Sequence, residues 1–188
     1  HLLKAFGAER FSGKIIEFTG PSVINLPMSE RFKLCHFAAE LGAVAGIFSP
    51  DERGIEYVKR RTNATFDALT GDDKTYSEPV RVNLNDVRVL VKTPDGAIRP
   101  VEEIKNQQVD SIFIGSDAGG YFDDIHLAVG LMRGKSVKHP LTLLILPATK
   151  GAYSKVVSQG LMNALIQSGA NVAFPTMGPF IGRHTGVL

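Results

Sequence analysis

Apolar positions change rhythm along this chain, and the change is clearest after Val109. Val109–Ile114 (VDSIFI) alternates and then saturates with β-branched and aromatic residues, which predicts a buried strand. Tyr121, Phe122, Ile125, Val129 and Met132 recur at three- and four-residue steps, which predicts a helix over 121–133. Leu141–Leu146 is apolar but for Thr142, as a strand covered on both faces should be. A second helix is predicted over Ser154–Ser168, with Val156, Val157, Leu161, Ala164 and Leu165 inward and Gly169 closing it. Asn171–Phe174 is a third strand. This order predicts a parallel sheet with right-handed crossovers. Ligands of such sheets bind beyond the carboxyl ends of the strands. Three loops gather there: Gly115–Gly120, Pro147–Gly151 and Pro175–Thr185.

The earlier part of the chain is less regular. Helical pattern is already under way at Leu2–Phe6, and with His1 in first place the chain reads as a piece of a longer protein. Gly13–Phe18 is a short strand ended by Thr19-Gly20-Pro21. A helix over about Glu30–Leu41 follows, with Ser29 as its expected N-cap, Phe32, Leu34, Cys35, Phe37, Ala38 and Leu41 as its apolar set, and Gly42 as its stop. Gly42–Phe48 reads as a strand and Asp51–Arg61 as a short charged helix. Thr62–Ser77 is a polar surface connection. Val80–Leu84 and Val87–Val91 look strand-like, Pro94-Asp95-Gly96 is a turn, and Pro100–Gln108 is a short helix.

Composition narrows the class. The 188 residues suffice for one large or two small domains, and 44% hydrophobic with 21% charged residues is ordinary for a soluble globular protein. A net charge of +2 with interspersed signs points to no nucleic-acid partner. The apolar runs are too short to span a bilayer, and no signal-peptide pattern is visible. The single cysteine, Cys35, excludes an internal disulfide and fits a reducing cytoplasm.

Candidate chemistry sits in two places. FIGSDAGG, Phe113–Gly120, joins a strand to a helix through a glycine-rich turn, with Ser116 and Asp117 placed to cap the helix. Such a turn is either an ordinary βα connection or an anion site facing the positive helix end. Glu40 lies at a predicted helix end among small residues, AAELGAVAG. It is a solvated surface residue or a general acid/base. His36 precedes it by four residues, so the two share a helix face, a spacing that also occurs by chance.

At these motifs the sequence resembles the aconitase and 3-isopropylmalate dehydratase family along nearly its whole length. GKIIEFTGPSVINLPMSERFKLCHFAAELGAVAGIFSPDE, VDSIFIGSDAGG and GANVAFPTMGPFIGRHTGVL match family segments in order. The resemblance implies a three-layer α/β fold of mostly parallel sheets with helices on both faces, in two adjoining units, 1–105 (incomplete at its N-terminus) and 106–188. It implies reversible dehydration of a small 2-hydroxy di- or tricarboxylic acid, and a swivelling small subunit or domain outside this chain.

The departures matter as much. Family enzymes hold a [4Fe-4S] cluster on three cysteines, and the matching positions here are Asp117, Met177 and Phe180. None is a thiolate, so the cluster is expected to be absent. Glu40 matches a family glutamate near the cluster, and His36 stands where many relatives have asparagine. These two are the candidate catalytic residues. Ser116, Asp117, Gly119 and His184 are the candidate substrate-binding set. Three explanations stay open. The first is an altered hydro-lyase, in which Asp117 with His36, Glu40 and His184 holds a mononuclear divalent metal. The second is a non-catalytic carboxylate- or partner-binding domain, in which Asp117 only caps a helix and Met177 and Phe180 plug the cluster cavity. The third is a structural part of a multidomain enzyme. The enzyme reading places Glu40 and Asp117 at one cleft.

Overall fold

A computed structural model describes residues 1–71, 76 and 79–176. The chain divides into two compact units, His1–Gln107 and Gln108–Leu188. The fold is α/β with mostly parallel sheets, and the sheets are small and open.

In the first unit, helix α1 (Leu2–Phe6) precedes strand β1 (Ile15–Phe18). Helix α2 (Met28–Phe37) then leads through a 3₁₀ turn, Ala39–Leu41, into strand β2 (Ala45–Phe48). β1 and β2 pair in parallel, with Ile16 beside Gly46 and Phe18 beside Phe48. The phenyl rings of that last pair stack with centroids 5.2 Å apart. Gly46 is glycine because α2 crosses directly over it. A Cβ there would lie 2.9 Å from both Cys35 Cα and Ala38 Cβ. Helix α3 (Glu52–Lys59) starts at its N-cap Asp51, whose Oδ1 accepts the Gly54 N–H at 2.9 Å. A hairpin of β3 (Leu90–Lys92) and β4 (Ile98–Pro100) closes the unit.

Several expectations change here. α2 starts at Met28 with Pro27 as its N-cap, not at Glu30 with Ser29. Proline fixes its own φ and needs no N–H at a helix start, so Ser29 falls inside the first turn. The α-helix also ends at Phe37 and tightens to 3₁₀ before Gly42 turns left-handed at φ 79°. Phe37 is left exposed. Val80–Leu84 is not a strand: the segment runs irregularly into a 3₁₀ turn at Leu84–Asp86, and only Leu90–Lys92 pairs. Exposed valines without a sheet partner do not make a strand, whatever their propensity.

The second unit is more regular. Strands β5 (Ser111–Gly115), β6 (Thr142–Leu146) and β7 (Asn171–Val172) form a parallel sheet in the order β5-β6-β7. Ile114 lies beside Ile145, and Ile145 beside Val172. A four-residue helix, α4 (Ser116–Gly119), and the longer α5 (Phe122–Met132) lie between β5 and β6. The predicted helix 154–168 is two helices, α6 (Lys150–Ser158) and α7 (Leu161–Gln167). Gly160, left-handed at φ 72°, breaks them. The start at Lys150 is set by Thr149, whose Oγ1 accepts the Ala152 N–H at 3.0 Å. Ile125, Val129, Leu143, Ile145, Val156, Leu165 and Ala170 form the core between the sheet and these helices. Each large member contributes about 1.5–3 kcal/mol by leaving water.

Candidate functional site

The Gly115–Gly120 turn is held by backbone on every side. Strand β5 ends at Gly115, where a Cβ would come within 2.6 Å of Leu146 Cβ and 2.7 Å of Leu146 O. Gly120 is tighter still: a Cβ there would meet Leu146 O, Ser116 O and Ala148 N. Two of those neighbours, Ser116 and Ala148, are also its hydrogen-bond partners. The Gly120 N–H donates to Ser116 O at 2.8 Å, and the Ala148 N–H donates to Gly120 O at 2.7 Å. The turn is thereby fastened to the loop that follows β6, at the carboxyl ends of the two strands.

Between the glycines, Ser116 is buried and adopts φ +62°. That left-handed conformation costs an L-residue about 1–2 kcal/mol. Its Oγ accepts a long bond from the Ala118 N–H at 3.4 Å. Asp117 is half-buried, and its Oδ1 is shielded from solvent. Phe113, Ile114, Gly115, Ser116, Ala118 and Gly119 line an open depression of about 370 Å³. A strained, tightly fastened turn beside such a depression is the kind of backbone found at ligand sites.

Ser116 is not the cap of the long helix. α4 intervenes, and α5 is capped at Tyr121, whose N–H donates to Asp124 Oδ2 at 3.1 Å. Asp123 and Asp124 both stand in the first turn of α5, so its positive end is met by the helix's own carboxylates.

In the first unit, Glu40 stands on the 3₁₀ turn after α2 and is half-exposed. Its Oε2 lies 3.3 Å from Lys92 Nζ at the end of β3. His36 is in the last turn of α2, exposed, with its ring edge-on to Phe37 at 5.4 Å. Because the helix tightens between them, the simple four-residue face does not extend from His36 to Glu40.

The first unit also holds a buried cation that sequence reasoning missed. Arg31 is 2% exposed. It donates to Asp51 Oδ1 and Oδ2 at 2.8 and 2.6 Å, and to the carbonyls of Leu26 and Val23 at 3.2 and 3.1 Å. The guanidinium holds the Asp51 carboxyl down at about 2. A signal existed: Arg31, Cys35 and Ala38 share the inward helical stripe, and Asp51 is a ready N-cap. Arg31 and Cys35 help line an apolar cavity of about 200 Å³, where burial pushes the Cys35 thiol up. Lys92 carried no comparable signal in the sequence.

Among the described residues no group of three His, Cys, Asp or Glu side chains gathers to hold a metal ion, and no helix is long and apolar enough to cross a membrane. Met177, Phe180 and His184 lie outside the described residues.

The family model for aconitase (aconitate hydratase) matches residues 1–97. The chain belongs to the aconitase family. Within that family it is similar, over all of its length, to 3-isopropylmalate dehydratase large subunits. Those of Clostridium kluyveri and Caldicellulosiruptor saccharolyticus are each 33% identical, over 46% and 45% of their own lengths. That of Caldanaerobacter subterraneus is 35% identical over 46% of its length. This aconitase-family chain thus spans less than half the length of the curated relatives it matches. The Gly115–Gly120 turn falls beyond the residues that the family model covers, but inside the alignment to the large subunits.

Proposed function

We propose that the chain is a hydro-lyase domain, acting in the reversible dehydration of a small 2-hydroxy di- or tricarboxylic acid without a [4Fe-4S] cluster. The observation that carries the reading is the Gly115–Gly120 turn. Its strained Ser116 and its two glycines with no room for a Cβ are retained, while the position that the family fills with cysteine is Asp117.

The residues present do not fit the family cluster. Three thiolates are needed, and the chain has one cysteine. That cysteine is in the first unit, where burial raises its pKa and favours the neutral thiol. A carboxylate at 117 suits a hard divalent cation instead. In this reading Ser116, Asp117, Gly119 and His184 hold the substrate carboxylates, directly or with a mononuclear metal on Asp117. Glu40 takes the proton from the carbon next to the carbinol, and the electron pair of that C–H bond becomes the double bond. The hydroxyl leaves with a proton from His36, as water. The names of the relatives support 3-isopropylmalate as the first substrate to try and a small subunit as the partner.

The test is dehydration of 3-isopropylmalate by full-length protein, with its small subunit, followed by ultraviolet absorbance of the unsaturated product. Turnover that survives removal of iron and sulfide supports the reading. Loss of the thiolates also favours a second one, a non-catalytic carboxylate-binding or structural domain. Binding of 3-isopropylmalate with no turnover in any metal supports that second reading.

A further inference from the structure

We propose that Lys92 is a positioning residue for Glu40, an inference that rests on the reading of Glu40 as the proton-transfer group. Glu40 follows the C-terminal end of α2, where the helix dipole disfavours a carboxylate. Its immediate neighbours Ala39 and Leu41 offer it no charge. The compensating cation comes from 52 residues away, with Lys92 Nζ 3.3 Å from Oε2.

The base from which Lys92 reaches is stiff. Directly after it, the Thr93 N–H donates to Ala97 O at 2.9 Å and the Gly96 N–H to Thr93 O at 2.8 Å. Arg99 closes on Asp95 at 2.7 Å. The hairpin therefore fixes where the ammonium starts, and the lysine stem needs to order only its own rotamers.

The pair is poorly designed for stability. Its side chains are 58% and 53% exposed, and such pairs contribute about 0–1 kcal/mol. It is better suited to a site. One oxygen of Glu40 is held, the other remains for a substrate proton, and the ammonium keeps further donors open to a carboxylate. Lys92 thus fixes which way the Glu40 carboxylate faces.

The experiment is a double-mutant cycle in full-length protein with its small subunit, using 3-isopropylmalate as the probe. K92M is expected to lower kcat by about tenfold with KM changed less than about twofold, and K92R to recover most of it. E40Q should lower kcat further, and E40Q/K92M should match E40Q alone, because the lysine acts only through the glutamate. Thermal melts of K92M should overlay those of the parent, since the pair is exposed. E40Q with the parent's kcat, or no turnover by the parent, overturns the reading of Glu40 and this inference with it. E40Q inactive with K92M unchanged, or effects that multiply in the double variant, overturns the inference about Lys92 alone.

Discussion

Neutralising Asp51 should destabilise the first unit more than any surface substitution nearby. In Asp51→Asn the α3 N-cap survives, because asparagine caps about as well as aspartate. What is lost is the negative charge facing Arg31, which is 2% exposed and bonded to both carboxylate oxygens. Breaking a buried ion pair on one side costs about 3–5 kcal/mol. Asp51 keeps 28% of its side chain in solvent, and screening brings the expected cost down to about 2–3 kcal/mol. Arg31→Met should cost less, about 1–2 kcal/mol, because it removes the buried charge along with its partner's role. Adding Asp51→Asn to Arg31→Met should then cost little more. The sign with pH follows from the depressed Asp51 carboxyl, at about 2 against its ordinary 3.8. Its contribution is fully present above about pH 4 and is lost as pH falls towards 2, worth at most about 1–2 kcal/mol after solvent screening. The chain has no tryptophan, so urea melts are read by far-ultraviolet circular dichroism. Asp51→Asn within about 0.5 kcal/mol of the parent, or single effects that simply add, would refute the account of this pair.

Three further predictions concern backbone. Gly120→Ala should cost about 2–3 kcal/mol in a urea melt, because a methyl group there meets three backbone atoms that cannot yield, whereas Ser116→Gly should be neutral or stabilising by up to about 1 kcal/mol by relieving its positive φ. Gly130→Ala should stabilise by about 1 kcal/mol, since the site is inside α5 and nothing lies within 4 Å of the added methyl.

The second unit was largely legible because its packing is periodic. The saturated run at Leu141–Leu146 and the spaced residues Ile125 and Val129 announce a covered strand and a one-faced helix, and both form. The break at Gly160 was missed because the apolar stripe continues through it, from Val156 to Leu161 and Leu165. Only the left-handed φ distinguishes that glycine from one tolerated inside a helix. The first unit was harder. Its strands are short and half-exposed, and its firmest tie is an arginine, which hydrophobic periodicity does not count. The turn at Gly115–Gly120 was visible as a turn, but its strain and its contact with the β6 loop depend on atoms 26 to 31 residues away. Lys92 beside Glu40 joins residues that no local pattern links.

The most direct measurement is the iron and acid-labile sulfide content, with an absorption spectrum, of full-length protein purified without oxygen. The account predicts no acid-labile sulfide and no cluster absorbance, whether or not a single divalent metal is present. Iron with about four sulfides per chain, as a [4Fe-4S] cluster requires, would contradict it.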